Sequence, residues 1–214
     1  MEANKIALKT LAISIAAVFA METVFRLAIS GQPGSHLPAL GIIRCLEALL
    51  LVIIADRFEK DPNAIGLSRS KVLPGLLRGL IWSACFGVAA GVLFSVLFAA
   101  DINPLKFFHT PLPSAPRQLF IFFLVGGIIG PIWEEIFFRG IIFGFFRRWG
   151  VYAAILISTA LFVLPHFDGH HLPLTQIVGG IVFAIAYEKE KSLLVPVTIH
   201  CLGNMVIFSL AFFF

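Results

Sequence analysis

The sequence predicts an all-α protein, a polytopic transmembrane helix bundle of about seven (six to eight) spans that forms a single domain over residues 1–214. Of the 214 residues, 59% are hydrophobic and only 13% are charged, whereas a soluble domain carries roughly 25% charged residues. The mean hydropathy is +0.96. Phe outnumbers Tyr by 23 to 2, so most of the aromatic surface has no polar group that needs a partner. These values exclude a disordered chain, a disulfide-stapled secreted scaffold and a soluble α/β enzyme.

Seven apolar segments account for the predicted spans. Since a spanning helix needs about 20 apolar residues, the chain has room for this number with short links of polar residues, Gly and Pro between them. The fourth segment contains Gly126-Gly127 and Gly130-Pro131, which predict either one kinked helix or a division into two. The segments are 6–29, 38–55, 76–100, 118–145, 151–165, 174–187 and 193–213.

The distribution of Lys and Arg predicts the orientation in the membrane. Cytoplasmic loops of membrane proteins are enriched in these residues, and here they concentrate near the N-terminus and in or next to the second, fourth and sixth links. We therefore expect the N-terminus on the cytoplasmic side and the C-terminus outside. The net charge is +4, and we attribute it to this orientation in the lipid bilayer and not to binding of a nucleic acid. The residues are Lys5, Lys9, Arg57, Lys60, Arg69, Lys71, Arg78, Arg147, Arg148, Lys189 and Lys191.

Two pairs of opposite charges lie inside the first two apolar segments. Glu22 and Arg26 are four residues apart, and Arg44 and Glu47 are three apart, so each pair shares a helix face. One interpretation is a four-membered ion network that joins the two helices inside the bundle. The alternative is a substrate or ion pathway, because charge inside hydrocarbon often marks function. The balance of the charges favours the structural interpretation.

The fourth segment carries three more charges. Glu135 precedes Arg139 by four residues, the favourable order for an ion pair on a helix. Glu134 is rotated by about 100° from Glu135. We therefore expect Arg139 to neutralise Glu135 and to leave Glu134 unpaired. An unpaired carboxylate in a site of low dielectric constant can serve as a general base.

Two later segments add histidines to the candidate set. His166 directly follows Pro165, where we expect the fifth helix to end or kink; a histidine there is a capping, interfacial or catalytic residue. In the last segment, His200 and Asn204 share a helix face. They are suited either to hydrogen-bond a neighbouring helix or to donate hydrogen bonds to a developing oxyanion.

Together these residues form three short motifs that occur in order on the fourth, fifth and last apolar segments. The motifs resemble those of the CAAX-protease and bacteriocin-processing family, the Abi-type glutamic intramembrane endopeptidases related to the Rce1 prenyl-protein protease. The resemblance covers roughly residues 64–208, which implies a protease-like core over 64–214 after an N-terminal pair of spans over 1–60. The motifs are Glu134-Glu135-x-x-x-Arg139, Phe162-x-x-x-His166 and His200-x-x-x-Asn204.

The resemblance implies a role for each motif residue. Glu134 matches the catalytic glutamate, which with His166 holds and activates a water molecule. His200 and Asn204 match residues that stabilise the oxyanion. The implied reaction is hydrolysis of peptide bonds in membrane-associated or lipidated protein substrates, without a covalent acyl intermediate, a cofactor or a metal. The remaining motif positions, in a supporting role, are Glu135, Arg139 and Phe162.

Two other functions fit the same residues. His166, His200 and Glu134, with His170, are potential zinc ligands of a metalloprotease or a metal transporter. A non-catalytic scaffold that binds partner helices is the second alternative. The motifs of the other intramembrane proteases, HExxH, Gly-x-Ser-Gly and Gly-x-Gly-Asp, do not occur in the sequence.

Overall fold

The computed structural model describes residues 6–31, 36–59, 61, 63–107, 110–167, 169 and 172–212. Lys5, Lys60 and His170 lie outside these residues. The described part of the chain is helical and contains no strand, which confirms the predicted all-α fold. Its main helices are α1 (Leu8–Ile29), α2 (Leu37–Glu59), α3 (Val72–Ala99), α4 (Pro116–Trp149), α5 (Val151–Val163), α6 (Leu174–Glu190) and α7 (Leu194–Leu210).

In the described part of the chain, four regions are long and apolar enough to cross a bilayer: α1, α2, Arg69–Ala99 and α4. Val151–His166 and α7 are shorter apolar helices. Many large apolar side chains of α1 and α3 point away from the rest of the protein, including Phe19 and Val88. A hydrocarbon environment suits such surfaces, and helices satisfy their backbone hydrogen bonds internally, as a bilayer requires. The chain is therefore an integral membrane protein.

The fourth apolar segment forms one continuous helix of 34 residues, so its glycines do not divide it. Two stretches of α4, Val125–Ile129 and Ile136–Phe143, have π-helical hydrogen bonding. Pro131 lies just after the first of them. Because proline has no amide hydrogen to donate to the preceding turn, a widened turn at this point is expected.

Several helices extend beyond the apolar segments that predicted them. Helix α2 continues to Glu59 and α6 to Glu190, although the apolar segments end at 55 and 187. The difference arises because hydropathy reports where a helix leaves the hydrocarbon, whereas backbone hydrogen bonding continues into the polar region.

Helix α4 lies at the centre of the bundle. It contacts α1, α2, α5, α6 and α7, whereas α3 packs mainly against α7. Ile141 and Phe143 of α4 are completely buried. Polar groups on α4 are therefore surrounded by other helices, and this arrangement positions the site described below.

The even-numbered links and the start of α1 meet at one end of the bundle. This is the grouping that the distribution of Lys and Arg predicted. We call this surface the basic end. Three contacts join its parts. Arg147 donates two hydrogen bonds of 2.9 Å to Glu188, and Arg148 donates to the carbonyl of Ile6. The amide of Leu193 donates to the carbonyl of Gly66 at 3.1 Å.

Candidate active site

The buried ion pair expected in α4 is present. Nη1 of Arg139 donates a hydrogen bond of 3.0 Å to Oε1 of Glu135, and neither side chain is exposed. Nη2 of Arg139 donates to the carbonyl oxygen of Gly180 on α6 at 3.1 Å. The guanidinium lies 4.6 Å from the ring centroid of Phe162, within the range of a cation–π interaction. The pair thus joins α4 to α5 and α6.

The contact with α6 depends on Gly180. A Cβ atom at this position would lie 2.8 Å from Cγ2 of Thr159 and 3.5 Å from Nη2 of Arg139. The first distance is shorter than carbon atoms tolerate, so a side chain at 180 would push α6 away from α5. Glycine therefore permits the approach that places a backbone carbonyl against the arginine.

His200 on α7 lies between the two glutamates. Its Nδ1 is 2.9 Å from Oε1 of Glu135, and its Nε2 is 3.6 Å from Oε2 of Glu134. The ring is buried and stacks on Phe183 with a centroid distance of 4.6 Å and an interplanar angle of 23°. The hydrogen bond and the stacking together fix the direction of Nε2.

Glu134 has surroundings different from those of its neighbour. Its side chain is 19% exposed, whereas that of Glu135 is completely buried. Among the described residues, no Lys or Arg lies within ion-pair distance of Glu134. The expectation that it has no partner is nevertheless wrong, because the packing of α7 on α4 brings His200 to 3.6 Å.

His166 ends the short 3-10 helix Leu164–His166 that follows α5, so the predicted helix end at Pro165 is confirmed. Nδ1 of His166 is 2.9 Å from the carbonyl oxygen of Phe162, and the side chain is exposed. Because a carbonyl only accepts hydrogen bonds, Nδ1 is assigned the proton, and in the neutral imidazole Nε2 is the nitrogen with the lone pair. His166 does not form an ion pair or a hydrogen bond with Glu134.

Asn204 connects α7 to the first π-helical stretch of α4. Its Nδ2 donates a hydrogen bond of 2.9 Å to the carbonyl oxygen of Gly126. This is the bond to a neighbouring helix that the sequence allowed. An amide nitrogen carries two hydrogens, so the second remains for another acceptor.

Phe162 forms the centre of an aromatic cluster that connects the three motifs. Its ring centroid is 5.0 Å from that of His166 and 5.8 Å from that of His200. It also forms edge contacts with Phe138 and Phe183. The structure therefore brings the motif residues together: Glu135 contacts Arg139 and His200, His200 also approaches Glu134, and His166 adjoins them through Phe162.

The charges of the first two helices form the network that the sequence predicted. Arg44 donates to Glu47 at 2.6 Å and also pairs with Glu22, and Arg26 is 3.9 Å from Glu22. The Arg44 guanidinium lies 3.9 Å from the ring centroid of Trp133, which directly precedes the first motif glutamate. The network therefore reaches the candidate site.

Four residues of this region were not identified from the sequence as neighbours of the motifs. Gly180 had a usable signal, since paired glycines in an apolar helix often mark a close approach between helices. The two aromatic residues had no signal of their own, because this chain contains many aromatic residues. The stacking of Arg44 on a ring could not be predicted, because the two residues are far apart in the sequence. The four are Arg44, Trp133, Gly180 and Phe183.

Of the residues in the metal hypothesis, His170 lies outside the described part of the chain. Within the described part, no group of three or more His, Cys, Asp or Glu side chains is arranged to hold a metal ion. Glu134 and His200 approach each other, whereas His166 packs against Phe162.

Comparison with known families covers the same part of the chain as the motifs. The family described as type II CAAX prenyl endopeptidase Rce1-like matches residues 116–206. This range extends from α4 to α7 and includes all three motifs. No solved structure matches the chain.

Two relatives support the family. The membrane-embedded CAAX protease MroQ of Staphylococcus aureus (strain USA300) is 39% identical over 183 residues, which cover 79% of this chain and 72% of the relative. YdiL of Bacillus subtilis (strain 168), a candidate membrane peptidase, is 29% identical over 170 residues, covering 77% of this chain and 67% of the relative. This chain therefore belongs to the Rce1-like family of type II CAAX prenyl endopeptidases, a family of membrane proteases.

Proposed function

We propose that this membrane protease is of the glutamic type and hydrolyses peptide bonds with a water molecule activated by Glu134 and His166. The observation that carries the proposal is the difference between the two adjacent glutamates. Glu135 is completely buried and held by Arg139 and His200, whereas Glu134 is partly exposed and bonded to no Arg or Lys of the described residues. Glu134 is thus the accessible base in a site whose other two charges, Glu135 and Arg139, are paired with each other.

Water activation is the first step of the proposed reaction. Glu134 accepts a proton from the water, and Nε2 of His166, which carries the lone pair, accepts the second hydrogen of the same water as a hydrogen bond. The water oxygen bonds to the carbonyl carbon and forms a tetrahedral oxyanion directly. The C–N bond then breaks, and Glu134 returns its proton to the leaving amine.

Stabilisation of the oxyanion is assigned to α7. The second amide hydrogen of Asn204 is a donor for the developing charge, while the first holds the side chain on Gly126. His200 in its doubly protonated form donates from both ring nitrogens. Its Nδ1 is bonded to Glu135 and its Nε2 points toward Glu134, which leaves neither hydrogen for the oxyanion. We therefore assign to His200 the orientation of Glu134, and to the positive charge of its doubly protonated form a share in stabilising the oxyanion.

The proposed substrates are membrane-associated peptides, including lipidated or membrane-anchored ones. Glu134 lies about 20 Å along the helix from Trp149 and is surrounded by other helices, so a substrate must enter the protein at membrane depth. We place the basic end on the cytoplasmic side because its links carry most of the Lys and Arg. This puts the N-terminus inside and the C-terminus outside.

Comparative terminal proteomics tests the activity even though the substrate is unidentified. Membranes that contain the wild-type protein are expected to contain new peptide termini that are absent with Glu134→Gln. The matched control is Asp101→Asn, the same carboxylate-to-amide change at an exposed residue beyond α3, which should give the wild-type pattern. Identical termini with the wild type and Glu134→Gln at equal protein levels would support the scaffold alternative instead.

A chelator experiment separates this proposal from the metalloprotease alternative. Cleavage by the purified protein in detergent should continue in the presence of EDTA and 1,10-phenanthroline. Loss of cleavage that zinc restores would contradict the proposed mechanism.

A further inference from the structure

A groove lined in part by charged side chains lies at the basic end, where the start of α3 meets the turn between α6 and α7. Its volume is about 160 Å³. None of the residues that line it belongs to the three motifs. They are Lys71, Pro74, Gly75, Arg78, Glu190 and Ser192.

Two cations of the groove are held in place by the protein. Nη1 of Arg78 bonds to Glu190 at 2.8 Å, and Nζ of Lys71 donates to the carbonyl oxygen of Lys191 at 3.0 Å. The second oxygen of Glu190 accepts a hydrogen bond from Trp82. A guanidinium has five donor hydrogens and an ammonium has three, so both cations retain donors for a ligand. The groove therefore combines two fixed positive charges with one negative charge.

Ser192 provides the second, independent indication of a ligand. The residue is 3% exposed, and its Oγ has no hydrogen-bond partner in the described part of the chain. A buried hydroxyl without a partner is unfavourable, and a ligand in the groove that accepts its hydrogen would remove this penalty. A Cβ on Gly75 would lie only 2.5 Å from this oxygen, so the glycine keeps the face of α3 toward Ser192 free of a side chain.

The start of α7 adds to the positive potential. This helix has 17 residues and begins at Leu194, two positions after Ser192. Of its first three residues, Pro196 has no amide hydrogen and the amide of Val195 donates to the carbonyl of Ser192 at 3.3 Å. The amide of Leu194 therefore carries the partial positive charge that favours an anion nearby. The fixed cations, the unpaired hydroxyl and the helix start all favour an anionic ligand with several acceptor oxygens.

We propose that this groove binds the phosphate group of an anionic phospholipid. The groove lies where the helices leave the apolar segments, which is the depth of lipid headgroups, and basic pockets between helices at this depth are suited to them. Leu77 of α3, about 60° around the helix from Pro74, is exposed beside the groove and provides an apolar surface for an acyl chain. Inorganic phosphate has the same tetrahedral chemistry but would leave this surface uncovered.

Binding measurements on the purified full-length chain in detergent test the ligand class. Short-chain phosphatidylglycerol, phosphatidylcholine with the same acyl chains, and sodium phosphate are titrated separately, with thermophoresis as the readout. We expect phosphatidylglycerol to bind about tenfold more tightly than phosphatidylcholine, corresponding to about 1.4 kcal/mol. Inorganic phosphate, which lacks the acyl chains, should bind more weakly than phosphatidylglycerol. Equal affinity for the two lipids, or affinity for inorganic phosphate equal to that for phosphatidylglycerol, would overturn the proposal.

Variants locate the binding in the groove. Ser192→Ala removes one hydroxyl and no charge, and Lys71→Gln removes one cation; each should weaken phosphatidylglycerol binding by about fivefold or more. The control is Arg117→Gln, which removes an exposed cation at the other end of α4 and should leave the affinity unchanged. Melting temperatures identify a variant that does not fold, and Ser192→Ala carries the test if Lys71→Gln fails. Wild-type affinity in Ser192→Ala contradicts the proposed site.

Discussion

At the scale of single residues, two adjacent glutamates reach different surroundings because a helix turns about 100° per residue. Glu135 points into the bundle, where Arg139 and His200 satisfy one of its oxygens. Glu134 keeps partial access from outside. A local rotation thus separates a carboxylate that holds the structure together from one that is available for chemistry.

The loss of Arg139 should damage the fold more than the loss of the Glu134 charge. Arg139→Leu removes the positive charge paired with Glu135 and leaves the carbonyl of Gly180 without its donor inside the bundle, at a cost of roughly 3–5 kcal/mol. Glu134→Gln removes a charge that is partly exposed and retains the shape. We expect Arg139→Leu to lower the amount of protein in the membrane and the melting temperature, whereas Glu134→Gln keeps both near the wild-type values. Equal losses in the two variants would contradict this assignment.

Gly180→Ala tests whether the close approach of α6 is required. The new methyl group would meet Thr159 at 2.8 Å, so we expect a loss of stability of about 1–3 kcal/mol from overpacking. Gly203→Ala on α7 is the matched control, because nothing lies within 4 Å of its added Cβ. Thermal unfolding in detergent compares the two variants, and a decrease for Gly203→Ala as large as that for Gly180→Ala would contradict the steric explanation.

The sequence predicts those side-chain contacts that lie within one helix. The bond between Glu135 and Arg139 follows from their spacing, as does the pair of Arg44 and Glu47. The position of His200 beside Glu134 does not, because it depends on how α7 packs against α4. For this reason the sequence led to the expectation that Glu134 has no partner.

At the scale of elements, α4 carries the candidate site and changes its hydrogen-bonding pattern around it. The residues from Gly130 to Glu135 form an ordinary α-helical turn between the two π-helical stretches. Such stretches occur often at functional sites because they alter the direction of side chains. Hydropathy predicts that this segment is a helix, but it contains no information that distinguishes π-helical from α-helical turns.

The contact of α2 with α4 depends on the shape of Arg44 as well as on its charge. Arg44→Lys keeps a positive charge beside Glu22 and Glu47 but loses the planar group that stacks on Trp133. Arg44→Gln removes the charge and leaves the buried Glu47 unpaired. We expect the melting temperature to fall slightly in Arg44→Lys and much further in Arg44→Gln. The larger fall corresponds to a loss of about 3 kcal/mol in the free energy of unfolding. Identical melting temperatures would show that the network contributes little to stability.

At the scale of the whole molecule, basic links that are distant in the sequence converge on one end. Arg147 and Glu188 connect the fourth and sixth links, and Leu193 and Gly66 connect the sixth and second. The alternation of links along a chain of spanning helices makes this grouping predictable from the sequence. The lengths of the helices were less predictable, because their polar ends extend beyond the hydrocarbon.

The proposed orientation is tested with reporter fusions. Alkaline phosphatase fused after Phe214 should be active, because it folds only outside the cytoplasm, whereas green fluorescent protein at the same position should be dark. Fusions in the link around Arg147 should give the reverse pattern. Fluorescence from the C-terminal fusion would show that the C-terminus is cytoplasmic and that the basic end lies outside, which would contradict the proposed orientation.

The proposed mechanism depends on activation by Glu134 of the water that attacks the peptide bond. Its most direct test is the single-turnover cleavage rate of a peptide that spans a cleavage site found by terminal proteomics, measured with the purified wild type and Glu134→Gln. General-base catalysis contributes about 10²–10⁴-fold to a rate. We therefore expect the cleavage rate of Glu134→Gln to be lower by about 10²–10⁴-fold, with an unchanged melting temperature. A folded Glu134→Gln variant whose cleavage rate stays within about tenfold of the wild type would contradict the proposed role of Glu134.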